Sequence, residues 1–264
     1  MGFGRVSRAE LREQLVRSGI AGEVATPREG NLRHYGRMVA KDPRYQFGLR
    51  LRDRSFDETL AMMARLCGVD PNPERTRGVD TIDPDLTIDA LDAMGERLGA
   101  AAADGATVLL ATGHPETLLG VYRAIEDALR AAGCTVLTPA AGWSYESRLW
   151  EPSPYREIAY ASGVAALVGA DGGWRHTHDP EPMRAALAHL DGEFPRLVVA
   201  DHGWAGAAGE AGIETVGFGD CNDPALFAGY DEGKIAVAVP LDDGLEPGLY
   251  EPLTEYLLRR AQLA

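Results

Sequence analysis

The chain has 264 residues, of which 45% are hydrophobic and 25% are charged, and its formal net charge is −14. This balance fits one large globular domain, or a core with an appended helical region. The negative charge argues against non-specific binding to nucleic acid, and no apolar run of about 18 residues is present to span a membrane. Residues 1–5 lack the apolar stretch of a signal peptide, so we expect a cytoplasmic protein.

The first hundred residues carry helix start signals and show no competing strand pattern. Residues 7–10, 26–29 and 55–58 each have the spacing of a capping box, the second with proline at the first helical position. A fourth predicted helix begins at residues 83–84, and its apolar residues recur near period 3.6. We therefore predict an all-helical N-terminal region over residues 1–103, packed on the core that follows.

From residue 104 onwards, short apolar runs alternate with helical patterns, as expected of strands buried on both faces. Strands are predicted over residues 107–111, 134–138, 197–200, 213–218 and 235–239. Helices are predicted over residues 115–132, 179–190, 224–230 and 247–262. Residues 157–161 and 164–169 form either a hairpin or two separate strands. The alternation predicts an α/β core over residues 104–264, with a Rossmann-like, mostly parallel sheet and flanking helices.

Ligands bind beyond the carboxyl ends of the strands in such sheets, and the loop after the first core strand is one candidate site. There Gly113 and His114 stand where the strand gives way to the next helix. Free backbone N–H groups and an imidazole at this point would bind an anionic substrate. Glu116 lies in the first helical turn, where the helix dipole favours it, and is a candidate catalytic residue. The alternative is a capped helix start that binds no ligand.

The second loop contains His176 and His178, a His-x-His pair. In an extended chain both rings point to one face, which is the arrangement a metal ion uses. Asp179 follows the pair and is expected to cap the next helix. The loop therefore contributes two candidate metal ligands.

The third loop places Asp201 and His202 directly after a buried strand, as a candidate general base or metal-ligand pair. Gly203 begins a G-x-x-G-x-x-G spacing that would let the backbone approach an oxyanion. This spacing is neither the P-loop nor the dinucleotide fingerprint. The structural alternative makes Asp201 a helix cap and leaves His202 solvated.

The fourth loop offers Asp220, Asn222 and Asp223, hard oxygen ligands of the kind that Mg²⁺ or Mn²⁺ accepts. Asp223 is placed equally well to cap the following helix. Asp242 and Asp243 follow the last strand, where a plain turn is the favoured interpretation. Since no serine or cysteine has a nucleophile-elbow setting, metal-assisted hydrolysis is favoured over covalent catalysis.

Basic residues are concentrated at the N-terminus, where residues 1–54 contain 12 Lys/Arg and 6 Asp/Glu. The favoured interpretation is that basic helices dock onto an acidic core. The alternative is that Arg28, Arg33 and Arg37 lie over an anion site, with Arg33 binding the substrate.

The chain resembles a family of actinobacterial proteins identified as phosphatases. The similar segments cover residues 22–33, 110–116, 176–183, 198–206, 219–224 and 240–252. The resemblance spans nearly the whole chain and implies phosphatase activity, but it assigns no residue roles. A fainter similarity links the chain to metal-dependent damage-control phosphatases, which also place a helical region before an α/β core. In their first core motif an Asp-Asn pair binds the metal, whereas residues 113–116 here are Gly-His-Pro-Glu.

The leading hypothesis is a divalent-metal-dependent phosphatase acting on a small phosphorylated metabolite, with Mg²⁺, Mn²⁺ or Zn²⁺ as cofactor. The predicted metal ligands are Asp220, Asn222, His176 and His178. The predicted catalytic residues are Asp201, His202 and Glu116. The predicted substrate-binding residues are Gly113, His114, Gly203 and Arg33. The alternatives are a nucleotide- or cofactor-using Rossmann-like enzyme, which lacks its expected glycine fingerprint, and a non-catalytic small-anion sensor. Neither nucleic acid nor a membrane is an expected partner, and the oligomeric state is unknown.

Overall fold

A computed structural model describes residues 6–149 and 155–264 of the chain. Residues 1–5, on which the expectation of a missing signal peptide partly rests, lie outside the described residues. Within the described ranges, no helix has both the length and the apolar character needed to cross a membrane.

The described elements alternate along the chain as follows. The α-helices are α1 (Arg8–Ser18), α2 (Arg28–Val39), α3 (Phe56–Cys67), α4 (Pro84–Ala103), α5 (Leu119–Ala131), α6 (Glu181–Ala188), α7 (His202–Glu210), α8 (Pro224–Asp231) and α9 (Glu251–Arg260). The strands are β1 (Gly22–Pro27), β2 (Val79–Ile82), β3 (Thr107–Ala111), β4 (Thr135–Val136), β5 (Ser144–Glu146), β6 (Tyr155–Ala161), β7 (Val164–Val168), β8 (Trp174–Arg175), β9 (Leu197–Ala200), β10 (Thr215–Gly219) and β11 (Val237–Pro240). Short 3₁₀ helices cover Pro43–Tyr45 and Pro247–Tyr250.

The N-terminal region contains a two-stranded antiparallel sheet, so the prediction that this region is all-helical is wrong. β1 pairs with β2, with Gly22 opposite Ile82. Of the six residues of β1, only Val24 is buried, so the segment lacks the apolar alternation that marks a strand. The sheet is held by its surroundings, including a fully buried ion pair between Arg28 and Asp80 at 3.0 Å. Tertiary contacts therefore decide the conformation of this segment.

Two of the three predicted capping boxes are confirmed. Ser7 and Ser55 each accept a backbone N–H three residues on, and the glutamate there bonds back to the serine N–H. The capping box predicted at residues 26–29 is wrong, because α2 begins at Arg28, one residue later than predicted, and its N-cap has no side-chain hydrogen bond. Thr26, the residue expected to cap, instead donates its hydroxyl to Asp220 Oδ2 at 2.7 Å.

The central sheet has the strand order β11-β10-β9-β3-β7-β6-β5, with β4 beside the start of β3 and β8 beside β7. Strands β3, β4, β7, β9, β10 and β11 run parallel, whereas β5, β6 and β8 pair antiparallel. The α/β class is thus confirmed, and the sheet is mixed. β6 and β7 form the hairpin that the sequence left open.

Predicted and observed boundaries agree best for the fully buried strands. β3 and β9 cover the predicted residues, while β4 is shorter, and β10 and β11 begin two residues later than predicted. The helix predicted from Pro115 begins at Leu119. Residues 115–118 form a turn, because the N–H groups of Thr117 and Leu118 both donate to the His114 carbonyl.

The chain leaves β3 towards β4 and β7 on one side and returns to the other side for β9, β10 and β11. The strand order therefore reverses between β3 and β9, whose last residues Ala111 and Ala200 are neighbours. A crevice at such a reversal is the usual position of a ligand site in α/β sheets. Helix α4 packs against β11 and α9, which attaches the N-terminal region to this core.

Candidate active site

The loops that follow β3, β8, β9, β10 and β11 line one cleft of about 450 Å³, together with residues of the N-terminal region. Its lining residues are Thr26, His34, Tyr45, His114, His176, His178, His202, Asp220, Asn222, Asp242, Asp243 and Gly244. This volume lies within the range of about 300–1,000 Å³ that is typical of small-molecule sites. The carboxyl ends of the parallel strands thus converge on one site.

Four imidazole rings pack against one another in the cleft. His114 stacks on His176 with ring centroids 4.2 Å apart, and His178 stacks on His202 at 4.7 Å. The rings of His176 and His178 are almost perpendicular, at 88°. Both rings of the His-x-His pair therefore enter the same cleft.

Two of these rings are held in the neutral form. Burial lowers the pKa of His178 to about 3, and the charge of His202 acts in the same direction. His176 is exposed along one side, yet burial of its ring among the other imidazoles, and the charges of His114 and His202, lower its pKa too. A neutral imidazole offers a nitrogen lone pair, the form in which histidine binds a metal.

His202 is the first residue of α7 and lies between two carboxylates. Its Nδ1 is 3.3 Å from Asp201 Oδ1, and its Nε2 is 3.2 Å from Asp223 Oδ2. Burial acts to lower the pKa of His202, but the two carboxylates outweigh burial and raise the pKa well above its usual value. Its φ of +46° lies in the left-handed region, an unfavourable conformation that the surrounding contacts hold in place.

Asp201 is fully buried beneath His202 and is not among the residues that line the cleft. Its carboxylate accepts hydrogen bonds from the Thr112 hydroxyl, at 2.8 Å, and from the Gly113 N–H. Burial acts to raise its pKa, but His202 and the N–H donor hold the pKa below its usual value. Asp201 therefore acts on His202, and the Gly113 N–H is used inside the protein rather than offered to an anion.

Asp220, Asp242 and Asp243 form a group of buried carboxylates whose oxygens lie within 4.8 Å of one another. Asp220 accepts hydrogen bonds from the Thr26 hydroxyl at 2.7 Å and the Asn222 amide at 2.8 Å. Burial and the neighbouring carboxylates raise the pKa of Asp220 well above its usual range. In the described part of the chain, no lysine or arginine lines the cleft to balance this charge.

Asp243 connects the carboxylates to the imidazoles. Its Oδ2 lies 2.9 Å from His114 Nδ1 and 3.8 Å from His202 Nε2. Burial acts to lower the pKa of His114, but the Asp243 carboxylate outweighs burial and raises it. The imidazole nitrogens and carboxylate oxygens of the cleft therefore form one continuous group of potential metal ligands.

The structure brings most of the predicted site residues together but not all of them. His114, His176, His178, His202, Asp220 and Asn222 line the cleft, with Asp201 directly beneath. Glu116 and Arg33 are exposed and are not among the lining residues, so their predicted roles in catalysis and substrate binding stay predictions. The alternative anion site is also absent from its predicted place, because Arg28 is buried against Asp80 and Arg37 pairs with Asp42 at 3.8 Å.

The predicted glycine pattern lies where backbones pack closely, and neither Gly203 nor Gly113 is among the residues that line the cleft. A Cβ on Gly203 would overlap the backbone at His178 and Asp179, and a Cβ on Gly206 would overlap the Phe47 carbonyl. Gly113 is similarly confined, because a Cβ there would lie 2.5 Å from the Thr177 carbonyl oxygen. The small residues therefore let α7 and the β3 loop approach neighbouring backbone closely.

Sequence reasoning underrated several residues of the site. For Asp242 and Asp243 a plain turn was the favoured interpretation. They nevertheless follow the last parallel strand, so the rule that ligands lie beyond the carboxyl ends of strands applies to them as it does to Asp220. Asp223 was weighed as a helix cap, but its side chain caps nothing and accepts the Asp220 N–H at 3.2 Å. Thr26 and His34 carry no local signal, because they reach the cleft from the N-terminal region.

A cleft at the strand-order reversal of an α/β sheet, lined by imidazoles and carboxylates, defines an enzyme with acid–base or metal chemistry. The family model described as Phosphatase matches residues 6–264. Phosphatase SCO2771 from Streptomyces coelicolor is 49% identical to the chain over 266 residues, which cover 98% of each protein. The chain therefore belongs to the Phosphatase family, as its resemblance to actinobacterial phosphatases indicated. It is an enzyme that acts on a phosphorylated substrate.

Proposed function

We propose that the protein is a divalent-cation-dependent phosphatase acting on a small phosphorylated metabolite. The observation that carries this proposal is the group formed by Asp220, Asp242 and Asp243 in a cleft that no described lysine or arginine lines. A phosphate group is itself an anion, and buried carboxylates repel it. A bound cation would balance the negative charge of the carboxylates and so allow the phosphate group of the substrate to bind.

The three carboxylates suit a hard cation such as Mg²⁺ or Mn²⁺, which prefers oxygen ligands. Asp220, Asp242 and Asp243 would hold the cation, while Thr26 and Asn222 fix the orientation of Asp220 by hydrogen bonds. A divalent cation supplies charge that polarises a phosphoryl oxygen and favours ionisation of an attacking water. In this proposal Asn222 supports a ligand rather than being one.

The imidazoles of His114 and His176 are the nearest groups for contact with the substrate. His114 adjoins the carboxylates through Asp243, and His176 lies at the exposed mouth of the cleft. The Gly113 N–H, which was predicted to bind the substrate, donates its hydrogen bond to Asp201 instead. In this proposal the two imidazoles make the contact with the substrate. A cleft of about 450 Å³ is in the size range of small-molecule sites, which supports a small metabolite as the substrate.

The test is phosphate release from a panel of phosphorylated metabolites before and after exhaustive chelation. We expect chelation to abolish release and one added divalent cation to restore it. Asp242→Asn should lower the rate at every cation concentration. The control is Asp171→Asn, since Asp171 is 67% exposed and pairs with Arg175 at 2.6 Å outside the cleft.

Full phosphate release from chelated protein would contradict the role of the cation. Tight binding of a phosphorylated metabolite without any release, in the presence of cations, would contradict the phosphatase and favour the sensor.

A further inference from the structure

We infer that the cleft binds a second cation, at an imidazole-rich position formed by His178, His202 and Asp223. The inference rests on the proposed function, because it adds a position to the one assigned to the carboxylates. The ligand atoms of these three buried residues lie within 4.8 Å of one another. Two of the ligands predicted from sequence for one metal, Asp220 and His178, therefore fall in different groups, while His176 shares a further group with His114 and His202.

The ring orientation of both histidines is set from outside the cleft. His178 Nδ1 lies 3.2 Å from the Arg44 carbonyl oxygen, which only accepts, so Nδ1 donates and the lone pair is on Nε2. His202 Nδ1 faces Asp201 Oδ1 at 3.3 Å, and its Nε2 faces Asp223 Oδ2 at 3.2 Å. A carbonyl or a carboxylate behind each imidazole is the usual outer shell of a metal-binding histidine.

Packing holds this arrangement in place. The rings of His178 and His202 are nearly parallel, at 15°, and Phe47 contacts both, with centroid distances of 4.9 Å and 5.2 Å. Phe47, His202 and Asp223 are each almost fully buried. Ligands whose side chains are fixed by packing before binding are typical of preorganised metal sites.

The donor set determines the class of cation. Two imidazoles and one carboxylate favour Zn²⁺, Mn²⁺, Fe²⁺ or Co²⁺ over Mg²⁺, and three protein ligands leave a position open for substrate. Asp243 belongs to the carboxylate group, and its Oδ2 lies 3.8 Å from His202 Nε2, so the two positions adjoin. Paired cations at one phosphate clamp the attacking and the leaving oxygens of the displacement.

The experiment counts bound cations directly. The protein is first freed of metal by chelation, reloaded with Mn²⁺ and separated from excess metal. Bound Mn²⁺ is then measured by inductively coupled plasma mass spectrometry and by native mass spectrometry. We expect two Mn²⁺ per chain in the wild type, and one each in His178→Gln and Asp242→Asn. His189→Gln is the matched control, because the His189 ring bonds to the Ala185 carbonyl of its own helix at 2.8 Å, and this variant should keep two.

Co²⁺ spectroscopy identifies which cation each variant loses. Co²⁺ bound by imidazoles at low coordination number absorbs far more strongly in the visible range than octahedral, oxygen-bound Co²⁺, so the strong band should be lost in His178→Gln and persist in Asp242→Asn. Asp201→Asn should weaken Co²⁺ binding at the imidazole position by about 10–100-fold, because Asp201 lies behind the His202 ring and is not itself a ligand.

A wild type that binds one cation, or a folded His178→Gln that keeps two at unchanged affinity, overturns the inference. If the wild type binds one cation and still releases phosphate, the inference of a second cation fails while the proposed function stands. Two cations without phosphate release would support the second position and overturn the phosphatase instead. Far-ultraviolet circular dichroism establishes that each variant is folded before its metal is counted.

Discussion

Arg28→Met separates a structural role for this arginine from a role in anion binding. The guanidinium of Arg28 is fully buried and pairs with the equally buried Asp80 at 3.0 Å. It also donates to the carbonyl oxygens of Asn72 and Arg75, at 3.0 Å and 2.9 Å. The residue therefore connects the start of α2 to β2 and to the loop before β2.

The magnitude follows from what the substitution leaves behind. Asp80 would stay buried with the Asn31 amide at 2.8 Å and the Thr81 N–H at 3.0 Å, but without its main countercharge. Removing one partner of a buried ion pair costs about 3–5 kcal/mol of the free energy of unfolding. Arg12→Met is the control, because Arg12 is half exposed and pairs with Asp85 at the surface, where a loss of at most about 1 kcal/mol is expected.

Urea unfolding followed by tryptophan fluorescence measures both losses. If Arg28→Met lowers the free energy of unfolding no more than Arg12→Met does, the Arg28 contact does not stabilise the fold by compensating the buried charge of Asp80. Unchanged stability together with a raised KM for a phosphorylated substrate would restore the anion-site interpretation of Arg28.

Four further predictions concern the site and its packing. Asp220→Asn should lower kcat by about 10²–10³ in a phosphate-release assay. Arg33→Ala should leave kcat and KM unchanged, and a raised KM would return Arg33 to the site. Thr26→Val should weaken cation binding about tenfold by titration calorimetry, with kcat recovering at saturating cation, because the hydroxyl only orients its carboxylate partner; equal affinity would show that this bond is dispensable. Gly206→Ala should lower Tm, since its Cβ would overlap packed backbone, whereas Gly120→Ala meets open space in α5 and should raise stability by about 0.5 kcal/mol; similar Tm values would contradict the packing argument.

The sequence predicted the fold best where burial dominates the local pattern. β3 and β9 are apolar almost throughout and buried on both faces, so their boundaries follow from hydrophobicity alone. β1 and β2 carry no such signal, because contacts such as the Arg28–Asp80 pair hold them, and these contacts join residues 52 apart. The division of the chain at residue 103 and the cytoplasmic location stay predictions.

The site was predictable where it follows parallel strands. The rule that ligands lie beyond the carboxyl ends located His114, His202 and Asp220, and it also covers Asp242, whose Asp-Asp pair equally fits a plain turn. Glu116 was predicted to lie in the first turn of a helix that starts at Pro115, but the observed helix begins at Leu119. Thr26 could not be found, since its contact with Asp220 depends on a strand that the pattern did not reveal.

The bonds from β1 to the carboxylates have a consequence for how the enzyme matures. Thr26 bonds to Asp220 across 194 residues, and the Ala25 N–H bonds to Asp242 across 217. Such contacts need both residues to be present, so the carboxylate group is complete only after residues 25–242 have been synthesised and folded together. A cation that binds this group stabilises the finished fold by mass action and does nothing for a nascent chain. Under the proposed function, cellular metal supply would therefore act on the yield of mature enzyme as well as on its catalysis.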